Sequence, residues 1–561
     1  MTKYIFVIGG VLSGIGKGVT VASIAKILKE YGFNVTAIKI DPYINYDAGT
    51  LRPTEHGEVW VTEDGGEIDQ DLGTYERFLN MCLPKQNNIT TGQIYKSLIE
   101  KERQGFFLGE TVQFIPHVID EIKKRIVEIS NDYEATVVEV GGTVGDYENI
   151  PFLLAAKALE REFGKDSVVY VLVSYLPVPF NIKEAKTKPT QHAMKMLWEH
   201  GIFPDFVLCR SHEPLDDIRK KKIENFLNIK SERVISAPDV LNVYRVPLNL
   251  EKEKLGEKLL KELNLTPKKE PSWGRWNELL ENIEKPSQEI SVAIIGKYLD
   301  IGSYTLEDSY ISIRESLLHA GSHLKLMPKI FWLDSKSFEK DEAMLEKLKY
   351  YNGLIIPGGF GVSGVEGKIK AIKFARENKI PFLGLCLGLQ LAVVEFARNV
   401  CKLNAHSTEI DPETENPVID LMEPQKELMK NNVYGASMRL GACSARIKKD
   451  TIVYELYNLF NRLHNEKESS FVVERHRHRY EVNPKYVRVL NDAGLIISGL
   501  HTCGDGTELV EFIELPKDVH PFFVATQAHP EFKSTFEKPA PLFYGFLKAC
   551  MNSRATLASL S

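Results

Sequence analysis

Cysteine is scarce and scattered: seven residues (82, 209, 386, 401, 443, 503 and 550) in 561, an odd number with no Cys-x-x-Cys pair. That spacing argues against a disulfide framework or a cysteine zinc site and points to a reducing compartment. A surplus of positive charge is also missing. The net charge of −6 argues against bulk nucleic-acid binding but leaves room for local basic pockets that hold phosphates. No uninterrupted apolar run reaches the length of a membrane span. A strand pattern begins within a few residues of Met1, with no signal or transit peptide visible before it. A cytoplasmic enzyme is the expectation. What is present is ordinary for a globular protein, 43% hydrophobic and 26% charged, over a length that calls for about two to four domains.

Tyr4 to Ile8 is a short β-forming run that leads into Gly9-Gly10-Val11-Leu12-Ser13-Gly14-Ile15-Gly16-Lys17-Gly18. Val21, Ile24, Ala25, Leu28 and Tyr31 then fall on one face of a helix that Gly32 is placed to end. Strand, glycine turn and helix together make a phosphate cradle, to which Lys17 adds a point charge. The standard P-loop pattern is not met: five residues instead of four separate Gly10 from Gly16, and Gly18 stands where a magnesium-binding Ser or Thr belongs. Metal ligands must then come from elsewhere. The acidic stretch from Glu55 to Asp71 reads as a solvated loop or as a source of such ligands. Glu139, inside the apolar strand Ala135 to Val140, is costly unless paired or metal-bound. Asp71 and Glu139 are the expected metal ligands. Lys39 and Asp41 lie near a strand end, where open parallel sheets bind ligands. Further strands at 168–173, 206–209 and 233–236, with helical patterns between them, imply a doubly wound parallel sheet.

A proline-rich, charged stretch from Lys261 to Gln288, with a short helix expected around Trp276 to Ile283, marks the domain boundary. A second α/β pattern starts at Ile290. Within it, Pro381-Phe-Leu-Gly-Leu-Cys386-Leu-Gly-Leu-Gln390 has the layout of a nucleophile elbow with cysteine in place of serine. By itself the Gly-x-Cys-x-Gly frame fits a buried core cysteine as well. His529, at the end of the apolar 522–524 run, and Glu531 two residues on complete a candidate triad. Gly358, Gly359 and the N–H of Leu387 are placed for an oxyanion hole. The basic run Arg475-His-Arg-His-Arg479 reads as a solvated turn or as a recogniser of carboxylates or phosphates.

These residues together closely resemble the CTP synthase family. The motifs that carry the resemblance are 13–18, 39–44, 139–146, 186–191 (Lys-Thr-Lys-Pro-Thr-Gln), 357–361 and 475–481 (Arg-His-Arg-His-Arg-Tyr-Glu), in the family's order. The resemblance implies an α/β protein of two domains. The first is a P-loop-type doubly wound parallel sheet, the amidoligase domain, over 1–266. After a linker at 267–289 comes a class I glutamine amidotransferase α/β domain over 290–555, with a short tail at 556–561.

The activity it implies is ATP-dependent amination of UTP to CTP through a 4-phosphorylated intermediate, with ammonia from glutamine. By the same resemblance, Gly14, Ile15, Gly16, Lys17, Gly18 and Val19 hold ATP phosphates, Lys39 assists phosphoryl transfer, and Asp71 and Glu139 bind Mg2+. Arg210, Asp239 and Val240 match the ATP base region. Ser13, Lys186, Thr187, Lys188, Gln191 and Lys222 match UTP contacts, and Asp146, Tyr147, Glu148 and Phe226 the region that binds CTP as feedback inhibitor. Cys386, His529 and Glu531 match the triad, Gly359 and Leu387 the oxyanion donors, and Gln390, Glu409 and Arg479 the glutamine pocket. Pro53, His56 and Val59 match the inner end of an ammonia tunnel. GTP as activator and a homotetramer that stacks into filaments are further implications. Two alternatives are a cobyric-acid-type amidase and a non-enzymatic ATP-gated assembly protein.

Overall fold

The structure, a computed structural model, describes residues 2–52, 57–181, 184–296, 307–359, 361–421, 438–466 and 469–553. It divides into two compact units: residues 1–48 with 68–275, and residues 49–67 with 276–561. The N-terminal domain expected over 1–266 therefore does not keep residues 49–67, which belong to the second unit. The tail expected at 556–561 lies outside the described residues.

The chain opens with β1 (Lys3–Gly9), α1 (Lys17–Glu30) and β2 (Val35–Asp41). The short β3 (Val59–Val61) lies in the stretch that joins the second unit. The first unit resumes with α2 (Asp71–Leu79), β4 (Asn88–Thr90), β5 (Ala135–Val140), β6 (Val168–Tyr175), α3 (Lys188–Glu199), β7 (Phe206–Ser211), α4 (Asp217–Leu227) and β8 (Val234–Pro238). Among the described residues its sheet has seven strands in the order β4-β2-β5-β1-β6-β7-β8. Every pairing in it is parallel. The apolar runs are buried on both faces, as a sheet covered by helices on both sides requires. The face of α1 read from the sequence is fully covered at Val21, Ile24, Ala25 and Leu28, and the helix is covered on its other sides too, at Ala22, Ser23 and Ile27. The expected doubly wound sheet is thus observed; β4 was too short and too polar to read as a strand.

The second unit carries β9 (Gln288–Gly296), α5 (Ile311–Leu324), β10 (Leu326–Asp334), β11 (Gly353–Ile356), β12 (Phe382–Leu385), α6 (Leu387–Asn399), β13 (Arg439–Ile447), β14 (His464–Glu466), β15 (Ser469–His478), β16 (Ile496–Thr502), β17 (Glu508–Glu514) and β18 (Phe523–Thr526). Among the described residues they form one sheet in the order β10-β9-β11-β12-β18-β17-β16-β13-β15-β14. The half from β10 to β18 is parallel. The half from β18 to β14 is antiparallel. β12, which leads into Cys386, and β18, which leads toward His529, are neighbours in the parallel half, so their C-terminal ends bring the two residues to one edge. The short helix expected at 276–283 is present as Gly274–Glu284.

Candidate active sites

In the first unit the phosphate loop ends at Gly16, whose φ of 87° is left-handed and strained for any residue with a Cβ. Gly16 caps α1 without a side-chain hydrogen bond, so the first amides of the helix remain available to an anion. Lys17 reaches across the loop and donates to the carbonyl of Gly142 at 2.7 Å. Burial lowers its pKa, an effect that nearby Glu139 opposes.

Gly18 explains where the missing hydroxyl ligand went. A Cβ there would lie 2.7 Å from Asp71 Oδ1 and 3.6 Å from Glu139 Oε2, so two carboxylates face the space that a Ser or Thr side chain would fill. Asp71 opens α2, and Glu139 is buried near the end of β5. Lys39 bonds Asp71 and lies 3.2 Å from Glu139 and 3.7 Å from Asp41. Burial works against the ammonium, but Asp71, Glu139 and Asp41 outweigh it and hold the pKa of Lys39 well above its ordinary value. Burial raises Glu139, against the pull of Lys39, and lifts Asp69 to about 7. Tyr75, four residues after Asp71 and so on the same face of α2, donates its hydroxyl to Glu139. That spacing is the signal that sequence reasoning overlooked. Two carboxylates beside a phosphate loop suit magnesium, which takes one or two protein carboxylates and completes its shell with substrate phosphates and water. Among the described residues no group of three or more His, Cys, Asp or Glu is set to hold a metal without such help.

Arg210, at the end of β7, donates to the carbonyl of Ile15 at 3.2 Å and pairs with Asp239 at 2.6 Å, which brings these two residues to the loop. Val240 is half-buried beside Asp239, and Ser13 is exposed on the loop itself. Lys186 and Lys222 converge on Glu184, each at 3.0 Å, and together they hold its carboxyl down at about 2. Gln191 donates to the hydroxyl of Thr187 at 3.2 Å, at the turn where Lys188 starts α3. Asp146 accepts from the N–H of Thr143 at 2.7 Å. Tyr147 and Phe226 are 86% and 59% exposed, and Glu148, next to Tyr147 in the chain, is exposed as well.

In the second unit Cys386 stands between β12 and α6 with φ 51° and ψ −101°, the strained corner of a nucleophile elbow. Its amide donates to the carbonyl of Thr526 at 2.8 Å. Gln527 Nε2 donates to the sulfur at 3.7 Å, and the carbonyl of Arg477 lies 3.9 Å from it. His529 Nδ1 is 2.7 Å from Glu531 Oε1. Burial opposes protonation of this imidazole, but Glu531 and Cys386 overcome it and lift the pKa to about 10. A Cβ on Gly358 would lie 2.8 Å from His529 Cε1 and 3.6 Å from Cys386 Cβ, so Gly358 packs directly over the pair. Gly359 borders the same cavity, of about 280 Å³, together with Cys386, His529, Glu531 and Arg479. Leu387 follows Cys386 as the first residue of α6.

Three sequence expectations look different here. The basic run is not a solvated turn: it lies at the end of β15, where Arg475, His476 and His478 are buried. Burial and the charge of Arg439 push both histidines well below the ordinary range, leaving three cations in the run rather than five. Gln390 and Glu409 are absent from the cavity wall. Gln390 donates to the carbonyl of Tyr480 at 2.9 Å, and Glu409 accepts from the N–H of Gly361 at 2.8 Å. Val59 lines the cavity alongside Gly49, Leu51 and Glu58. Pro53 and His56 lie outside the described residues. Sequence reasoning missed Gln527, although it follows directly on β18 and stands two residues before His529.

Gly388 supplies a test of the elbow. A Cβ there would stand 2.3 Å from the carbonyl oxygen of Ile356, on β11. Gly388→Ala is expected to cost about 1–3 kcal/mol through overpacking, visible as a lower urea midpoint at unchanged slope. A midpoint equal to that of the wild type would contradict the close approach.

The comparisons with known proteins match both units. A family model described as CTP synthase N-terminus matches residues 3–265, and one described as glutamine amidotransferase class-I matches residues 305–549. The CTP synthase of Pyrococcus furiosus is 51% identical over 550 residues, 98% of each chain. That of Methanocaldococcus jannaschii is 49% identical over 558 residues, 98% of this chain and 99% of its own. Among solved structures, the Trypanosoma brucei CTPS glutaminase domain with bound acivicin is 36% identical, covering 47% of this chain and 94% of its own at a TM-score of 0.41.

Proposed function

The chain belongs to the CTP synthase family, and from that premise we propose how its residues divide the work of a glutamine-hydrolysing ligase that aminates UTP to CTP at the expense of ATP. The observation that carries the division is that a single chain holds a cysteine elbow with its His-Glu pair and a phosphate loop faced by two carboxylates and two lysines.

At the elbow, Cys386 attacks the carboxamide carbon of glutamine. Its proton passes to His529, which Glu531 holds in one tautomer, and thence to the departing ammonia. The N–H groups of Leu387 and Gly359 receive the oxyanion. Arg479 binds the α-carboxylate of glutamine, while Gln390 and Glu409 act from behind the wall by fixing Tyr480 and Gly361. Water then cleaves the thioester to glutamate, and ammonia leaves past Val59; Pro53 and His56 are assigned to the same passage by the family resemblance alone. An apolar path favours neutral ammonia over ammonium.

At the phosphate loop, residues 14–19 bind the ATP phosphates. Lys17 and Lys39 balance the charge that moves as the γ-phosphoryl group passes to the 4-oxygen of UTP. Ammonia then adds at C4 and phosphate leaves. Asp71 and Glu139 would hold Mg2+, which when bound neutralises phosphate charge. Arg210, Asp239 and Val240 border the ATP base. Ser13, Lys186, Thr187, Lys188, Gln191 and Lys222 take UTP, with Glu184 as a stand-in partner for the two lysines until a phosphate arrives.

Feedback by CTP at Asp146, Tyr147, Glu148 and Phe226, activation by GTP, and a homotetramer that forms filaments belong to the same reading. The exposed rings of Tyr147 and Phe226 suit residues that another copy covers. No helix among the described residues is long and apolar enough to cross a membrane, and the enzyme is proposed to work in the cytoplasm. The deciding assay supplies UTP and ATP with either glutamine or ammonium chloride. CTP is expected from both nitrogen sources. Absence of CTP with ammonium, together with amidation of a carboxylate, would favour the cobyric-acid-type reading instead.

A further inference from the structure

Residues 57–67 form a strap across the antiparallel half of the second unit, and its contacts end at both catalytic groups. The carbonyl of Glu63 accepts from the N–H of Ala442 at 2.8 Å, and its carboxylate pairs with Lys533 at 3.0 Å. The carbonyl of Val61 accepts from Arg475 Nη1 at 3.0 Å. Trp60 stacks under the Arg475 guanidinium at 5.3 Å and packs on Phe532 at 5.0 Å; Phe532 in turn stacks on His529 at 5.1 Å.

The last contact is the most pointed. Glu67 Oε1 accepts from Arg477 Nε at 2.8 Å, with both side chains largely buried. Arg477 itself lines the glutamine cavity, and its carbonyl is the one facing the Cys386 sulfur. A carboxylate fixed on this guanidinium offsets its charge inside the cavity and holds the residue whose backbone borders the nucleophile. Two residues further along the strand direction, Arg479 borders the same cavity. With the Glu67 charge removed, this second cation would compete more strongly for the α-carboxylate of glutamine.

We infer that Glu67 is a positioning residue for glutamine hydrolysis, acting through Arg477, although it lies in the N-terminal part of the sequence. The inference rests on the reading of Cys386 as the glutaminase nucleophile. Its test is a double-mutant cycle on the full chain with Glu67→Gln, Arg477→Gln and both changes together, following glutamate release and, separately, ammonia-dependent CTP formation. Each single change is expected to lower kcat for glutamine about tenfold, with ammonia-dependent synthesis within twofold of wild type. The double variant is expected to be no worse than the poorer single, because both changes remove one interaction. Multiplying losses, a Glu67→Gln variant with wild-type glutaminase kinetics, or an equal fall with both nitrogen sources would each overturn the inference. Wild-type protein that releases no glutamate would instead overturn the reading on which it rests. Should Arg477→Gln prove unstable, Arg477→Lys in the same cycle serves, since lysine keeps the charge but loses the Nε donor.

Discussion

Cys386→Ala is expected to abolish glutamine-dependent CTP synthesis, by a factor of roughly a thousand or more, while ammonia-dependent synthesis stays within twofold of wild type. The first half follows from chemistry: with the sulfur gone there is no thioester, and a hydrogen-bonded histidine alone activates water poorly. The second half follows from place. Cys386 touches Gln527, Arg477 and Thr526, all in the second unit, and none of the groups around Lys17 and Lys39 depends on it. Alanine also keeps the Cβ that the elbow already accommodates, so the fold has no reason to change. Rates of CTP formation with each nitrogen source, from the same preparation, check both halves. A folded Cys386→Ala protein that loses both activities would contradict separate sites for ammonia release and ammonia use.

The complementary result is expected from Lys17→Met, which should lose CTP synthesis by about 10²–10³-fold whether nitrogen comes from glutamine or from ammonium. The side chain of Lys17 is buried and bonded to the Gly142 carbonyl, at the centre of the loop formed by Gly9, Gly16 and Gly18. Methionine fills nearly the same volume without the charge, so packing against Gly9, where the lysine stem lies, is kept. The loss therefore isolates the ammonium group. Phosphate release with ammonium and UTP present is the measurement. A variant that still turns over ATP at the wild-type rate would show that Lys17 supports the loop and not the phosphoryl transfer.

Legibility in the sequence followed the range of the interactions. The phosphate loop, α1, and the elbow at Cys386 depend on residues within about a dozen positions, and all three were readable from glycine spacing and apolar periodicity. The parallel strands were readable because burial on both faces leaves unbroken apolar runs. The antiparallel half was not, since β15 runs from Phe471-Val-Val straight into Glu-Arg-His-Arg-His, and the partners that bury these polar residues come from distant strands. For the same reason the basic run at 475–479 read from its own residues either as a solvated turn or as a recogniser of carboxylates or phosphates. The acidic stretch at 55–71 held two roles that no local pattern separates. Glu63 and Glu67 pair with Lys533 and Arg477, while Asp71 faces the phosphate loop. Gln390 and Glu409 show the converse: residues of the right chemistry whose side chains also bond the backbone of Tyr480 and Gly361, contacts that no local pattern announces.

The strap also sets a schedule for synthesis. Val61 is translated 414 residues before Arg475, the residue that bonds its carbonyl. At roughly 5–20 residues per second, the interval is about 20 to 80 seconds. Throughout it Trp60, 1% exposed in the finished structure, has no Arg475 and no Phe532 to cover it. The nascent first half thus leaves the ribosome with an indole that still lacks two of the side chains packed on it in the finished structure. A gene split after residue 275 would place the strap and the residues packed on it on different polypeptides.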